Sequence, residues 1–275
     1  MHNALKCFST ILLMFGMVQL AQSSPLQTQI TFAVVPQQTA TDMATVWGPV
    51  LQYIGKKTGY SIRFQASRDM PTFEQRLNEG EFDIAYINPY QYISTRKKVY
   101  DVFAKEKDRK LKGIVVVLAN SPYKSLEELN NVTLAFPGAT AFAATLLPTA
   151  YMAQKNLSIT PAYVLSHESV YLAVAKGLYP AGGGVERTFE SMPIDIRQKL
   201  RILWTSQAFT PHAIAAHSRV PKEVVDKIAA VLFEMDKDAK GRELLDALNF
   251  KGITPAKDDD YQDVRAISSA LVPKL

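Results

Sequence analysis

Three groups of residues in this chain could hold or transform a ligand. The stretch "AGGGVER" (Ala181 to Arg187) sets a glycine run before Glu186 and Arg187. Such a run lets backbone N–H groups approach an anion, or serves as a turn between strand and helix. A guanidinium beside it forks onto an oxyanion, or pairs with Glu186 or Glu190 at the surface. His167 opens the helical stretch "HESVYLAVAKG", where an imidazole donates to an anion or caps the helix. Short polar clusters also fall where strands end and helices begin: Gln37 to Thr39, Tyr86 to Tyr90, Ala139 to Phe142, His167 to Ser169 and Gly182 to Arg187. In open α/β sheets ligands bind outside the carboxyl ends of strands, beside helix N-termini that carry roughly half a positive charge. The candidate ligand contacts are therefore Gln38, Thr39, Tyr86, Asn88, Tyr90, Thr140, Ala141, Phe142, His167, Ser169, Gly183, Gly184 and Arg187.

Other chemistry is missing. There is no GxxxxGK(S/T) phosphate loop and no GxSxG nucleophile elbow. "AGGGVER" does not complete GxGxxG, because Arg187 stands where the last glycine belongs. His212 and His217 are five apart, a spacing that separates them on a helix or a strand. No HExxH or paired-carboxylate motif stands out, so neither a metal nor a cofactor is expected. No nucleophile–base pattern points to an enzyme.

The elements that must position these residues alternate. "QITFAVVP" reads as a strand, then a helix runs through "MATVWGPVLQYIGKKTG", with Pro49 kinking or restarting it and Gly59 ending it. "YSIRFQA", "FDIAYI", "LKGIVVVLAN", "VTLAF", "PAYVLS" and "LRILWTS" read as strands, with helices at "MPTFEQRLNEG", "NPYQYISTRKK", "ATAFAATLLPTAYMAQKN" and "HESVYLAVAKG". Ser125 and Glu128 have capping-box spacing. "AFTPHAIAAHSRVP" reads as a returning strand, and helices close the chain. "TRKKVYDVFAKEKDRKLK" (Thr95 to Lys112) reads as a solvated helix face and loop, with Asp101, Glu106 and Asp108 among its basic residues. The alternation predicts an α/β chain with mostly parallel sheet.

At 275 residues, 47% of them hydrophobic and 21% charged, the chain can form one large domain or two lobes. Its opening residues differ from the rest. Lys6 precedes the apolar run "CFSTILLMFGMVQL", and "AQSS" follows with small residues at Ala21 and Ser23. This pattern predicts a signal peptide over residues 1–23, cleaved near Ser23, and a periplasmic location. Cleavage removes Cys7, leaving a chain that must rely on its core rather than on disulfides. It also removes Lys6, so the formal net charge of +5 becomes about +4, scattered rather than striped. Nucleic acid is not an expected partner.

The segments "FAVVPQQTATDMATVWGPVLQYIGKKTGYSIRFQ" and "FEQRLNEGEFDIAYINPYQYI", followed in order by "SLEELNNVTLAFPG", "LLP", "SHESVYLAVAKG" and "ITP", carry a resemblance. The chain resembles the phosphate/phosphite/phosphonate family of periplasmic substrate-binding proteins of ABC transporters over nearly its whole exported length. The resemblance implies a two-lobed type II periplasmic binding protein fold. Residues 24–118 would begin lobe 1, 119–210 would form lobe 2, and 211–275 would return to lobe 1, with crossovers near Ala119 and Thr210. A small anion would bind between the lobes, and the closed monomer would be read by an inner-membrane ABC permease. A sensor subunit of the same fold, signalling to a membrane kinase or chemoreceptor, is the alternative.

The family's site residues carry over in part. Its histidine matches His167, and its tyrosine-bearing loop matches "AYINPY", with Tyr86 and Tyr90 either lining the pocket or packing in lobe 1. Where phosphonate binders resembling this chain open a helix with Ser-Thr-Ser-Gly, it has Ala141, Phe142, Ala143 and Ala144. Where aminophosphonate binders carry an acidic residue it has Arg187, which should repel an amine. Trp47 is expected in the core and His212 in a structural role near the hinge.

Overall fold

The computed structural model describes residues 29–95 and 99–271. The expected signal segment, with Cys7 and the cleavage point near Ser23, lies outside them. The chain opens β1 (Gln29–Val34), α1 (Ala40–Thr58), β2 (Ser61–Gln65), α2 (Met70–Asn78), β3 (Ile84–Ile87), α3 (Pro89–Thr95) and β4 (Tyr100–Glu106). It continues β5 (Gly113–Leu118), β6 (Val132–Phe136), α4 (Leu147–Gln154), β7 (Ile159–Tyr163), α5 (His167–Ala175), β8 (Ala181–Val185), α6 (Glu186–Glu190), α7 (Ile194–Arg197) and β9 (Leu200–Thr205). It ends β10 (Ala213–His217), α8 (Lys222–Glu234), α9 (Ala239–Ala247), β11 (Ile253–Pro255) and α10 (Gln262–Leu271).

Local signals account for most of these bounds. Thr39 caps α1 by accepting from the Asp42 N–H, and Gly59 closes it with φ 80. Pro49 neither ends nor divides α1; it lies on the exposed face, where water can solvate the carbonyl its missing N–H leaves unpaired. Met43, Trp47, Val50, Leu51 and Ile54 form the buried face of the same helix. The spacing of Ser125 and Glu128 gives only a short 3-10 turn at Glu127–Leu129, with Leu126 rather than a capping side chain at its start.

The strands form two sheets, ordered β11-β4-β10-β3-β1-β2 and β7-β6-β8-β5-β9. β1 runs parallel to β2 and β3, and β6 runs parallel to β7 and β8. Every other pairing is antiparallel, so each sheet is mixed rather than mostly parallel. The strands flanking each crossing, β4 and β10 in one sheet and β5 and β9 in the other, run against their neighbours.

Three sequence expectations need correction. β5 pairs with β8 and β9, so residues 113–118 belong to the second lobe, and the chain crosses between β4 and β5 rather than near Ala119. It returns between β9 and β10. The two crossing segments pair with each other: Leu111 N–H donates to the Phe209 carbonyl at 2.8 Å, and Phe209 N–H to the Leu111 carbonyl at 2.9 Å. The basic stretch taken for a solvated face carries β4, an interior strand of the first sheet. Tyr100, Ala104 and Glu106 are buried there, while Asp101 is exposed and Lys105 pairs with Asp260 at 2.7 Å. The glycine run is not a loop but β8, at the centre of the second sheet and buried throughout.

The first lobe's core gathers Phe32, Trp47, Phe73, Phe82, Tyr86, Tyr92 and Tyr261. The second sheet buries Ile114, Val116 and Val170 on one face, and Val115, Leu134 and Phe136 on the other. No helix among the described residues is long and apolar enough to cross a membrane.

Candidate functional site

The ends of β1, β3, β4 and β8, the segment before β10 and the start of α5 converge between the lobes. Arg187, in the first turn of α6, is 9% exposed. It donates to the Tyr86 hydroxyl at 3.1 Å, to Glu106 Oε2 at 3.0 Å and to Gln37 Oε1 at 3.1 Å. Its guanidinium lies 4.9 Å from the Phe250 ring centre. Gln37 passes the network to His212, with 3.1 Å between their Nε2 atoms. The His212 ring stacks on Tyr86 at 4.9 Å, and Tyr86 leans on Trp47 at 5.2 Å. Arg187 is thus joined by side chains of the first lobe, and its salt bridge to Glu106 spans the cleft.

Charges in this network are strongly perturbed. Burial pushes the Glu106 carboxyl up, and the nearby Arg187 pulls the other way. Glu106 Oε1 is buried without a hydrogen-bond partner among the described residues, with Arg109 Nε 3.9 Å away. Burial also works against the charge on Arg187, but Tyr86 and Glu106 outweigh it and hold the group cationic. Burial drives the Tyr86 hydroxyl up to about 12. It drives His167 down to about 3, with the Arg187 charge adding to the effect, and His212 falls well below its ordinary range for the same two reasons. Both imidazoles are neutral at pH 7.

A hollow of about 10 Å³ lies beside this network, lined by Gln37, Asn88, His167, His212 and the turn Ala141–Ala144. The turn Phe142–Leu146 is a π-helical opening to α4. Its side chains are buried, and the first N–H groups of a helix have no carbonyl partner within it. His167 is 4% exposed and its Nδ1 has no hydrogen-bond partner among the described residues. An unpaired imidazole nitrogen therefore lines the same space as a helix start, an arrangement that favours an anion.

The other sequence candidates divide. Asn88 caps α3 by accepting from the Gln91 N–H at 2.9 Å, and its Nδ2 reaches the Thr140 carbonyl across the cleft at 3.4 Å. Thr140 also donates to Glu74, so it ties the lobes together. Ala141 and Phe142 line the small hollow, and Phe142 meets Phe209 edge-on at 5.2 Å. Gln38 lines a larger, neighbouring hollow. Thr39 is exposed and caps α1. Tyr90 packs half-buried against the first lobe's core, and Ser169 joins Ser166 in capping α5.

Gly183 and Gly184 serve packing. A Cβ on Gly183 would stand 1.9 Å from the Ala144 carbonyl oxygen, and one on Gly184 would stand 2.2 Å from the Tyr171 hydroxyl. The glycines let the π-turn and α5 lie directly on β8. The fork foreseen for Arg187 toward an oxyanion is spread over the first lobe instead, Nη1 donating to Tyr86 and Glu106 and Nη2 to Gln37.

The candidate contacts omit Gln37 and Glu106, and His212 is expected only in a structural role, yet all three join the network around Arg187. Gln37 follows β1 and carried the same strand-end signal as Gln38. Glu106 is the last residue of β4, and becomes visible only once that stretch is recognised as a strand.

Comparison with known proteins gives one consistent picture. The family model described as "ABC transporter, phosphonate, periplasmic substrate-binding protein" matches residues 32–261. A phosphate-import protein, PhnD, of Mycolicibacterium smegmatis is 22% identical, over 86% of this chain and 84% of its own length. A binding protein component of an ABC phosphonate transporter from Pseudomonas aeruginosa superposes with a TM-score of 0.81 at 18% identity, covering 88% of this chain and 86% of that one. PhnD1 of Prochlorococcus marinus, solved with methylphosphonate, also gives 0.81 at 15% identity, covering 89% of this chain and 98% of that one.

Proposed function

This chain belongs to the family of periplasmic substrate-binding proteins of phosphonate ABC transporters, and we propose that it holds a small oxyanion of the phosphate, phosphite or phosphonate class between its lobes. The observation that carries the reading is the unpaired, buried Nδ1 of His167 beside the helix start at Ala141–Ala144. The hydroxyls that commonly grip such an anion are replaced by alanine and phenylalanine side chains, so the grip falls to backbone N–H groups, His167 and the Asn88 amide. A neutral His167 can donate one hydrogen bond to an anion at no cost in buried charge.

The small hollow has room for about one water, which is too little for a phosphoryl group. Ligand entry therefore requires the lobes to part at the paired crossing segments around Leu111 and Phe209. Closure on the anion then presents a single shape to an inner-membrane permease. Both walls of the cleft come from one chain, which supports a monomer. The protein carries its ligand without transforming it. Export through a signal peptide cleaved near Ser23 completes the reading.

Calorimetric titration with phosphate, phosphite, methylphosphonate and sulfate tests this. Binding of at least one phosphorus oxyanion is expected, weakened about tenfold or more in His167→Ala, the size of one lost hydrogen bond to a charged group. Failure of all three phosphorus oxyanions to bind overturns the proposal.

A further inference from the structure

The small hollow at His167 has a larger neighbour of about 190 Å³, and Gln37 lines both. Met43, Val46 and Trp47 of α1 form one wall of it, continued by Leu248 and Phe250 after α9. Thr188 and Ser191 of the second lobe stand on the other side. No carboxylate or ammonium group is among its linings. The one charge there is Arg187, whose hydrogen bonds go to Tyr86, Glu106 and Gln37 and whose face rests on Phe250.

We propose that this compartment receives the organic substituent of the ligand, so that the cleft prefers an organophosphonate or phosphate monoester bearing a compact, uncharged apolar or aromatic group. The inference rests on the oxyanion reading above and narrows it. A cavity of about 150 Å³ with apolar walls accommodates a benzene ring, so this one is large enough. A bare phosphate leaves the compartment to water, which the apolar side formed by Met43, Val46, Trp47, Leu248 and Phe250 bonds poorly, although Gln37, Gln38, Tyr86, Thr188 and Ser191 line the rest; an uncharged substituent that lies on that apolar side and displaces its water gains affinity. A charged substituent gains less. An ammonium would meet Arg187 with no carboxylate among the linings, and a second anionic group would meet a guanidinium already paired with Glu106. Gln37 lines both hollows and is held between Arg187 and His212, so a ligand anchored at His167 that extends into the compartment must move that amide aside.

Titration of the exported chain with inorganic phosphate, methylphosphonate, phenylphosphonate and aminoethylphosphonate tests the inference. Phenylphosphonate should bind about tenfold tighter than methylphosphonate or better, from apolar surface removed from water, and aminoethylphosphonate no tighter than methylphosphonate. Val46→Trp, from a half-buried position on the wall, should erase the phenyl advantage while leaving methylphosphonate within about twofold, because the two hollows are filled separately. Ala247→Trp, at the exposed end of α9 beside Leu248, should do the same and serves if the first variant does not fold. Equal affinities for the phenyl and methyl compounds, or tightest binding of aminoethylphosphonate, overturn this inference and leave the oxyanion reading standing. Loss of both affinities together in both tryptophan variants also overturns it. No binding by phosphate or any phosphonate overturns both.

Discussion

The two walls of the cleft are built by opposite means. The first lobe presents side chains: Gln37, Tyr86, Glu106 and His212 reach inward, backed by Trp47 and Phe250. The second lobe presents mainly small apolar residues, at the turn Ala141–Ala144, with His167, Arg187, Thr188 and Ser191 as its polar additions. One wall works through charge and hydrogen bonds, the other through removal of side-chain atoms. The difference predicts that the second wall fails when atoms are added, and the first when partners are taken away.

The largest effect should come from Gly183→Ala. The new Cβ would lie 1.9 Å from the Ala144 carbonyl oxygen and 2.6 Å from the Phe136 ring, so backbone or a buried ring must move. A loss of about 3 kcal/mol or more is expected from such overpacking, read from urea unfolding. Gly177→Ala is the control: that glycine has φ +73 but nothing within 4 Å, so only the left-handed backbone is penalised, by about 1–2 kcal/mol. Equal losses would break the claim that the second wall is set by close approach.

Arg187→Met is next and takes from the first wall the partner that Glu106 holds across the cleft. Breaking a buried pair by removing one partner costs about 3–5 kcal/mol, because the remaining charge is stranded. Here Glu106 and Arg187 sit on different lobes, so the protein can escape most of that cost by opening and hydrating the carboxylate. The closed form should therefore suffer more than the fold. Small-angle scattering should show a more extended particle, while unfolding stability changes by only about 1 kcal/mol, as at a site whose partner regains water. Adding Glu106→Gln should restore the compact form. An unchanged scattering profile in Arg187→Met would show that the pair does not couple the lobes.

Much of the fold was legible because periodicity and end signals agree along the chain: Gly59 closes α1 as expected, although Thr39, expected at the ligand, is the cap that opens it. The crossover was misplaced because "LKGIVVVLAN" looks alike in either lobe; only pairing with β8 and β9 assigns it. β4 was hidden by its charges, since Asp101 and Lys105 disguise a strand whose alternate positions are buried. The cleft was legible where it follows the strand-end rule: His167 and Asn88 line the small hollow and Tyr86 the larger one. It was not legible at the glycines, because glycine is a poor strand former and its reason for being there is the approach of Ala144 and Tyr171, which no local pattern records. Arg187 was recognised as a key residue, but its partner Glu106 lies 81 positions away in sequence.

Acid should separate the walls further. His167 belongs to the second and His212 to the first, and burial lowers both. A lowered histidine gives stability that is full above the unfolded value near 6.5 and is lost as pH falls, for His167 down to about 3. Each group should remove up to about 1.4 kcal/mol per pH unit within that window. Glu106, pushed up by burial, acts in the opposite sense, because protonation relieves its buried charge. Its window runs upward from the ordinary carboxylate value, so it offsets part of the histidine loss. The ligand-free protein should lose thermal stability from pH 6.5 to 5, where two imidazoles outweigh one carboxyl, and His167→Gln should lose half as much or less over that interval, since one of two buried imidazoles remains. Identical slopes would mean that His167 gains access to water in the free protein.

The smallest effect, at the rim, is the one that best bounds the first wall. Thr39 lies two residues beyond Gln37 and, on its strand-end position, was expected to touch the ligand. It is exposed, and its hydroxyl serves α1, accepting from the Asp42 N–H at 3.2 Å and donating to Asp42 Oδ2 at 2.6 Å. Thr39→Ala should cost about 1 kcal/mol of stability through the lost cap and leave oxyanion affinity unchanged. Thr39→Ser, which keeps the hydroxyl, should restore the stability. A fall in affinity with stability intact would extend the ligand-binding wall past Gln38, into a position now assigned to folding alone.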